Sequence, residues 1–396
     1  MNFVFISPNF PESYRWFCIR LRENGVNVLG VGDARYEELH PDLRAALTEY
    51  YKVDSLADYD QMVRALGHFT GEYGKLDWVE SNNEFWLELD AALRTDFNIT
   101  TGLKSDEIVK YKSKSLMKEY FKAAGVPAAR FLKLTTLEAA LAFTAETGYP
   151  VVVKPDSGVG ATATYKLSSD DEVRAFFREL PAEPYLMEEF VPGVVTTYDG
   201  VCNSKGEVLF AASHISPDSI MDMVNEGVPC CYYVDRQIPP EVEKAGRAVL
   251  KAFGASRRFF HLELFRLTAD KAGLGRAGDI VALEVNMRPC GGFTPDMINF
   301  SRSTNVYKIW ADMVAFGGTD MPVGEHFYCA YAGRRDGKPF LYSHEQIMQK
   351  YQGHMRMVDR IPDALADAMG NQMYVATFST EEEMNQFYQD VLACNG

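Results

Sequence analysis

Lys154-Pro155-Asp156-Ser157-Gly158-Val159-Gly160 closes the apolar run Val151-Val152-Val153. A strand that ends on a cation and a glycine-rich turn sets fixed positive charge beside backbone N–H groups, and glycine lets those groups approach an oxyanion closely. Gly-x-Gly alone is usually a hairpin turn. Lys-Pro before it and Ala161-Thr162 after it favour a loop in which Lys154, Ser157, Gly158, Gly160, Ala161 and Thr162 wrap a polyphosphate.

About 130 residues later comes Glu284-Val285-Asn286-Met287-Arg288. Strand alternation puts Val281, Leu283, Val285 and Met287 on one face and Glu284, Asn286 and Arg288 on the other, at intervals of about 7 Å. Two oxygen donors and a guanidinium in that row suit a hard divalent cation beside an oxyanion; the bland alternative is a solvated strand face. In the preceding strand candidate, Phe259 to Phe265, Glu263 is a lone carboxylate among apolar residues, and leaving it buried and unpaired would be costly. A hairpin across Thr268 to Gly278 would set Glu263 opposite Glu284. His261 shares that face, and reads more readily as a structural histidine.

A chain of 396 residues with 47% hydrophobic and 24% charged residues suggests a folded protein of roughly two to four domains. With 55 acidic against 40 basic residues, the net charge of −15 excludes a broad phosphate-backbone footprint, so no nucleic-acid partner is expected. The seven cysteines lack Cys-x-x-Cys pairs and read as reduced thiols in a cytoplasmic protein. No window reads as an export signal or a membrane span.

Phe3 to Ser7, a helix from about Ser13 to Glu23 and Val26 to Val31 open a parallel βαβ fold. The turn Ser7-Pro8-Asn9-Phe10-Pro11-Glu12 lacks Gly-x-Gly-x-x-Gly, which argues against a dinucleotide. Gly125-Val126-Pro127 stops a helix that begins near Ser113, and Thr135-x-x-Glu138 and Ser169-x-x-Glu172 read as capping boxes. Further strands are expected near 194 to 201, 207 to 213, 259 to 267 and 280 to 287. After the linker at Phe316-Gly317-Gly318-Thr319, the chain reads as a small α+β unit. The expected units are 1–103, 104–186, 187–316 and 317–396.

In this order, with Met187-Glu188-Glu189-Phe190-Val191-Pro192-Gly193 between them, the two motifs resemble the ATP-grasp ligases. The likeness is strongest to the carbamoyl-phosphate-synthase-like carboxylate-amine ligases that include L-amino-acid ligases. It implies an α/β and α+β chain: an N-terminal parallel βαβ (pre-ATP-grasp) domain, the ATP-grasp fold and the C-terminal α+β unit. By resemblance, Lys114, Lys154 and the glycine-rich loop hold ATP phosphates. Adenine lies along Glu188, Glu189, Phe190 and Val191, and Asp199 serves the nucleotide where Val195 replaces an acid common in relatives. Glu263, Glu284 and Asn286 would hold Mg²⁺, with Mn²⁺ as a substitute, and Arg288 is the catalytic residue. Glu84, His261, Gly291 and Gly292 are the substrate contacts; for Glu84 a solvated glutamate at a helix start is the other reading, and for Lys114 a solvated basic face with Lys110, Lys112 and Lys118. The implied chemistry is phosphorylation of a small carboxylate by ATP and capture of the acyl phosphate by an amine, which an amino acid would supply, in a chain able to form a homodimer. The rival readings are bicarbonate phosphorylation as in biotin carboxylase and a non-catalytic ATP-binding sensor.

Overall fold

The computed structural model describes residues 1–158, 163–217 and 230–394. The chain opens with parallel strands β1 (Asn2–Ile6), β2 (Asn27–Gly32), β3 (Glu49–Lys52) and β4 (Trp78–Glu80), in the order β3-β2-β1-β4. Parallel strands are covered on both faces and so read as apolar runs. Phe3 and Phe5 enter one core with Phe17, Trp78 and Trp310, while Val4 and Ile6 enter another with Met62, Leu66 and Phe69. β3 has no apolar run and escaped the sequence reading.

A small antiparallel sheet follows: β5 (Phe131–Lys133), β6 (Val151–Pro155), β7 (Tyr165–Leu167) and β8 (Tyr185–Glu189), in the order β5-β8-β6-β7. The boundary expected between 186 and 187 falls inside β8. The helix Lys114–Ala124 is capped by Ser113 and ends at Gly125, whose φ of +69° is the left-handed turn the sequence suggested. The next helix, Leu137–Thr147, is capped by Thr136 rather than Thr135, since Thr136 Oγ1 accepts from Ala139 N at 3.2 Å. Ser169 opens the helix Asp170–Arg178 as expected.

The remaining strands are β9 (Gly193–Cys202), β10 (Val208–Ala212), β11 (His214–Ser216), β12 (Cys230–Val234), β13 (Arg258–Leu267), β14 (Ile280–Asn286), β15 (Tyr328–Arg334), β16 (Met355–Arg360) and β17 (Gln372–Phe378). Among the described residues they form one sheet in the order β14-β13-β9-β11-β12-β15-β17-β16, with β10 also on β9. Pairing of β12 with β15 makes the strands after residue 317 a continuation of this sheet.

β14 departs from simple alternation. The register runs Glu263 to Glu284 and then Leu264 to Ala282, so Leu283 is the extra residue of a bulge. A bulge reverses the parity of the strand that carries it. Ile280 and Ala282, not Val281 and Leu283, therefore join Val285 and Met287 in the core, while Val281 packs with Val191 and Leu267 in a separate cluster.

The N-terminal unit rests on the large lobe through the helix Val306–Phe316, where Trp310 meets Phe3, Phe5 and Phe17 edge-on at 5.5, 6.4 and 5.1 Å. Edge-to-face rings add to the area they bury. Trp310→Ala is expected to lower stability by about 3–5 kcal/mol, read as a shift of the urea unfolding midpoint; a change under about 1 kcal/mol would show that this cluster does not hold the units together.

Candidate active site

Three neighbouring strands build the polar face of the site. Glu284 on β14 stands opposite Glu263 on β13, and Glu263 opposite Thr197 on β9; one step along, Asn286, His261 and Asp199 form a second row. The hairpin expected from the sequence is present, and it brings the two carboxylates face to face. Without the bulge at Leu283, the residues beyond it would turn to the opposite face.

Cations approach this face from the small lobe. Lys114 Nζ lies 3.3 Å from Glu284 Oε1 and 3.5 Å from the carbonyl of Gly158, so it spans the glycine-rich loop and the carboxylate strand. The loop is tied to the start of the Lys114 helix by Asp156, whose carboxylate accepts from Ser115 N (2.7 Å), Ser115 Oγ (2.8 Å) and Ser113 Oγ (3.1 Å). Lys154 reaches Glu188 Oε2 at 2.7 Å, and Lys118 reaches Glu188 Oε1 at 2.6 Å. Lys112, Lys114 and Lys118 are all buried, which rules out the solvated basic face. Gly160, Ala161 and Thr162 lie outside the described residues; Ser157 and Gly158 are exposed at the described end of the loop.

The motif on β8 divides its roles. Burial would raise the Glu188 carboxyl, but Lys118 and Lys154 outweigh it and hold Glu188 down at about 2. Glu189 is clamped by Arg130, through Nε at 3.1 Å, Nη2 at 2.9 Å and the backbone N at 2.9 Å. Its side chain therefore fastens β8 to the segment before β5. Val191 is in the core, so it can meet a ligand only through its backbone. Phe190 is half-buried, with Lys166 Nζ 5.0 Å above its ring.

The first domain delivers Glu84. Its Oε1 meets Lys112 Nζ at 2.7 Å and its Oε2 meets Arg288 Nε at 3.1 Å, and it is 8% exposed, so the solvated-glutamate reading fails. Asn83 caps the short helix that begins at Glu84, and Tyr14 O–H donates to Asn82 O at 2.5 Å, which fixes this loop against the rest of its domain. Arg288 Nη1 also donates to Pro289 O at 2.8 Å. Gly292 has φ +61°, a left-handed backbone that favours glycine, and a Cβ there would come within 2.9 Å of the flexible Met369 Cε. Gly291 is exposed beside it.

Asp199, expected to serve the nucleotide, anchors two imidazoles. Asp199 Oδ1 meets His261 Nδ1 at 2.6 Å and Oδ2 meets His214 Nδ1 at 2.9 Å, while His261 Nε2 meets Glu263 Oε1 at 3.1 Å. Burial would lower the His261 imidazole, but the Asp199 carboxylate and the hydrogen bonds to Asp199 and Glu263 raise it to about 9. Burial likewise opposes Asp199 and Glu263 as anions, and their imidazole partners hold both below the usual carboxylate range. His261 thus belongs to the site and is also a satisfied structural histidine. The sequence reading missed His214, Lys112, Lys118, Tyr14 and Thr197; only the lysines carried a signal, as neighbours of Lys114.

No family model matches the chain. It is 24% identical over 309 residues to the L-arginine-specific L-amino acid ligase of Bacillus subtilis, a match covering 75% of this chain and 71% of that protein. In structure it is similar to an L-amino acid ligase from Bacillus licheniformis, at TM-score 0.70 and 16% identity over 98% of this chain and 96% of that one. It is also similar, at TM-score 0.68 and 15% identity, to the biotin carboxylase domain of a Hydrogenobacter thermophilus 2-oxoglutarate carboxylase, determined with MgADP, ADP and bicarbonate, over 99% of this chain and 90% of that one. The fold is the ATP-grasp fold. These relatives are ATP-grasp ligases, and the L-amino acid ligases match this chain in both sequence and structure.

Because its folded-state pKa lies below the usual value of 4.5, the Glu188 carboxylate stabilises the fold above about pH 4.5 and that contribution is lost as pH falls toward 2. The stability gap between the wild type and Glu188→Gln should be full at pH 6 and shrink by about 3 kcal/mol across that window. Urea unfolding at stepped pH checks this, and a gap independent of pH would refute the Lys118–Glu188–Lys154 pairing.

Proposed function

We propose that this chain is an ATP-dependent carboxylate-amine ligase that forms an amide or peptide bond through an acyl phosphate, releases ADP and phosphate, and takes an amino acid as a substrate. The observation that carries this reading is the opposition of Glu263 and Glu284 beneath Lys114, with Arg288 at the end of the same strand. The similarity to L-amino acid ligases supports the substrate class.

Two facing carboxylates and an amide are the oxygen donors a hard divalent cation takes, so Glu263, Glu284 and Asn286 fit Mg²⁺ or Mn²⁺. Such a cation, when bound, offsets charge on the phosphate oxygens of ATP. The remaining work falls to side chains. Lys114 and Lys154, held at the root of the glycine-rich loop, neutralise phosphate charge and keep the transferring group in line with the substrate carboxylate. Arg288 stabilises the acyl phosphate and the oxyanion formed when the amine attacks. Glu84 orients Arg288 and offers an acceptor for a substrate ammonium. Lys118 and Glu188 fix Lys154.

Phosphate release measured with Mg-ATP across pooled amino acids, with mass spectrometry of the products, tests the reading: ADP and a condensed product are expected. AMP as product, or stimulation by bicarbonate alone, would reject it. Arg288→Ala should keep nucleotide binding and lose at least about tenfold in ligation, on the order of 1.4 kcal/mol or more of transition-state stabilisation. Unchanged turnover would remove Arg288 from its role.

A further inference from the structure

A hydrogen-bonded chain leads from the carboxylate pair: Glu263 Oε1 to His261, His261 to Asp199, and Asp199 to His214. The two histidines are not equivalent. His261 meets a carboxylate oxygen with each ring nitrogen, at 2.6 and 3.1 Å, and so offers no lone pair. His214 Nδ1 meets Asp199 Oδ2 at 2.9 Å and Thr197 Oγ1 at 3.0 Å, and among the described residues its Nε2 has no hydrogen-bond partner. A carboxylate that accepts from Nδ1–H fixes the tautomer with the lone pair on Nε2.

The surroundings hold this ring in place. Thr197 Oγ1 donates to Asp199 Oδ2 at 2.5 Å and accepts from His214 N at 3.0 Å, which locks carboxylate and imidazole to one hydroxyl. The two rings stack with centroids 5.7 Å apart and planes 14° apart, and Tyr232 meets His214 edge-on at 5.9 Å. The His214 side chain keeps 11% of its surface. Cys290, two residues beyond Arg288, brings its Sγ within 4.8 Å of the Asp199 and His214 ligand atoms, so the ring lies beside the end of the strand that carries Arg288. Among the described residues, the charged and titratable groups around it are Asp199 on β9, His261 and Glu263 on β13, Tyr232 on β12, and Cys290 after β14.

We infer that His214, aligned by Asp199 and Thr197, is the general base that deprotonates the attacking amine in the second half-reaction. This rests on the ligase reading above and adds a residue to it. An amine that arrives as an ammonium has no lone pair with which to attack. His214 Nε2 takes one proton, the freed nitrogen pair forms the C–N bond at the acyl carbon, and the acyl C–O bond breaks with its electron pair leaving on phosphate. The second proton lost from nitrogen passes to that phosphate, so acyl phosphate dianion and ammonium give amide, hydrogen phosphate and a protonated His214. No role falls to His214 in the first half-reaction, where the nucleophile is already a carboxylate.

The test separates the two steps. With the amino acids that give the largest phosphate release, His214→Ala and His214→Gln should lower the kcat of amide formation by about a hundredfold at neutral pH and leave the KM for ATP unchanged. When hydroxylamine, which is uncharged at that pH, replaces the amine, both variants should form hydroxamate and ADP within about threefold of the wild type. The amide defect should shrink as pH rises and the free amine becomes neutral. Hydroxamate and amide synthesis falling together in both His214 variants would mark a structural role and overturn the inference, as would unchanged amide formation. A wild type that makes neither ADP nor hydroxamate with any acid would instead refute the ligase reading, and this inference with it.

Discussion

The register of three strands is the constraint on which the site depends. Pairing of β14 with β13 and of β13 with β9 places Glu284, Glu263 and Thr197 in one row and Asn286, His261 and Asp199 in the next. Side chains alternate along a strand, so a slip of one residue in either pairing would bury the carboxylates and expose the core. The bulge at Leu283 sets that register: it lets Ile280 and Ala282 share the core of Val285 and Met287 while Glu284 and Asn286 keep the polar face.

A face carrying several carboxylates would repel itself, and the fold answers with cations brought from elsewhere. Lys114 meets Glu284 from a helix capped by Ser113 and pinned by Asp156, and His261 stands between Glu263 and Asp199. Glu84 from the first domain reaches Arg288 and Lys112. Buried ion pairs of this kind contribute little net stability, because desolvation offsets much of the attraction. Their value lies in orientation: Lys114, Lys154, Arg288, Glu263 and Glu284 are each held by a partner of opposite sign.

The same logic extends to the joint between the units. Glu80, at the end of β4, is buried with Arg94 at 2.9 Å and Arg258 at 3.3 Å, and Arg258 begins β13, the strand that carries His261 and Glu263. Trp310 and its phenylalanine neighbours supply the apolar half of that joint. The first domain is thereby fixed relative to β13 and β14, which is what lets Glu84 reach Arg288.

Much of this was legible in the residue order. The apolar runs of β1, β2 and β6, the stop at Gly125, the lone Glu263 in an apolar strand and the alternation at Glu284 and Asn286 are local facts, because backbone conformation and strand periodicity depend on near neighbours. From them alone the parallel opening unit, the glycine-rich turn after Lys154 and the acids facing each other across a hairpin could be stated. What the sequence did not carry was the partner of each charge. Nothing near Glu84 announces Arg288, 204 residues away, and nothing near Asp199 announces His214 and His261. Nor could alternation reveal the bulge at Leu283, or the joining of the strands after residue 317 to the large sheet. Those depend on which strands pair and in what register, and only long-range packing decides that, since hydrogen bonds and ion pairs across the sheet join residues that the chain itself keeps far apart.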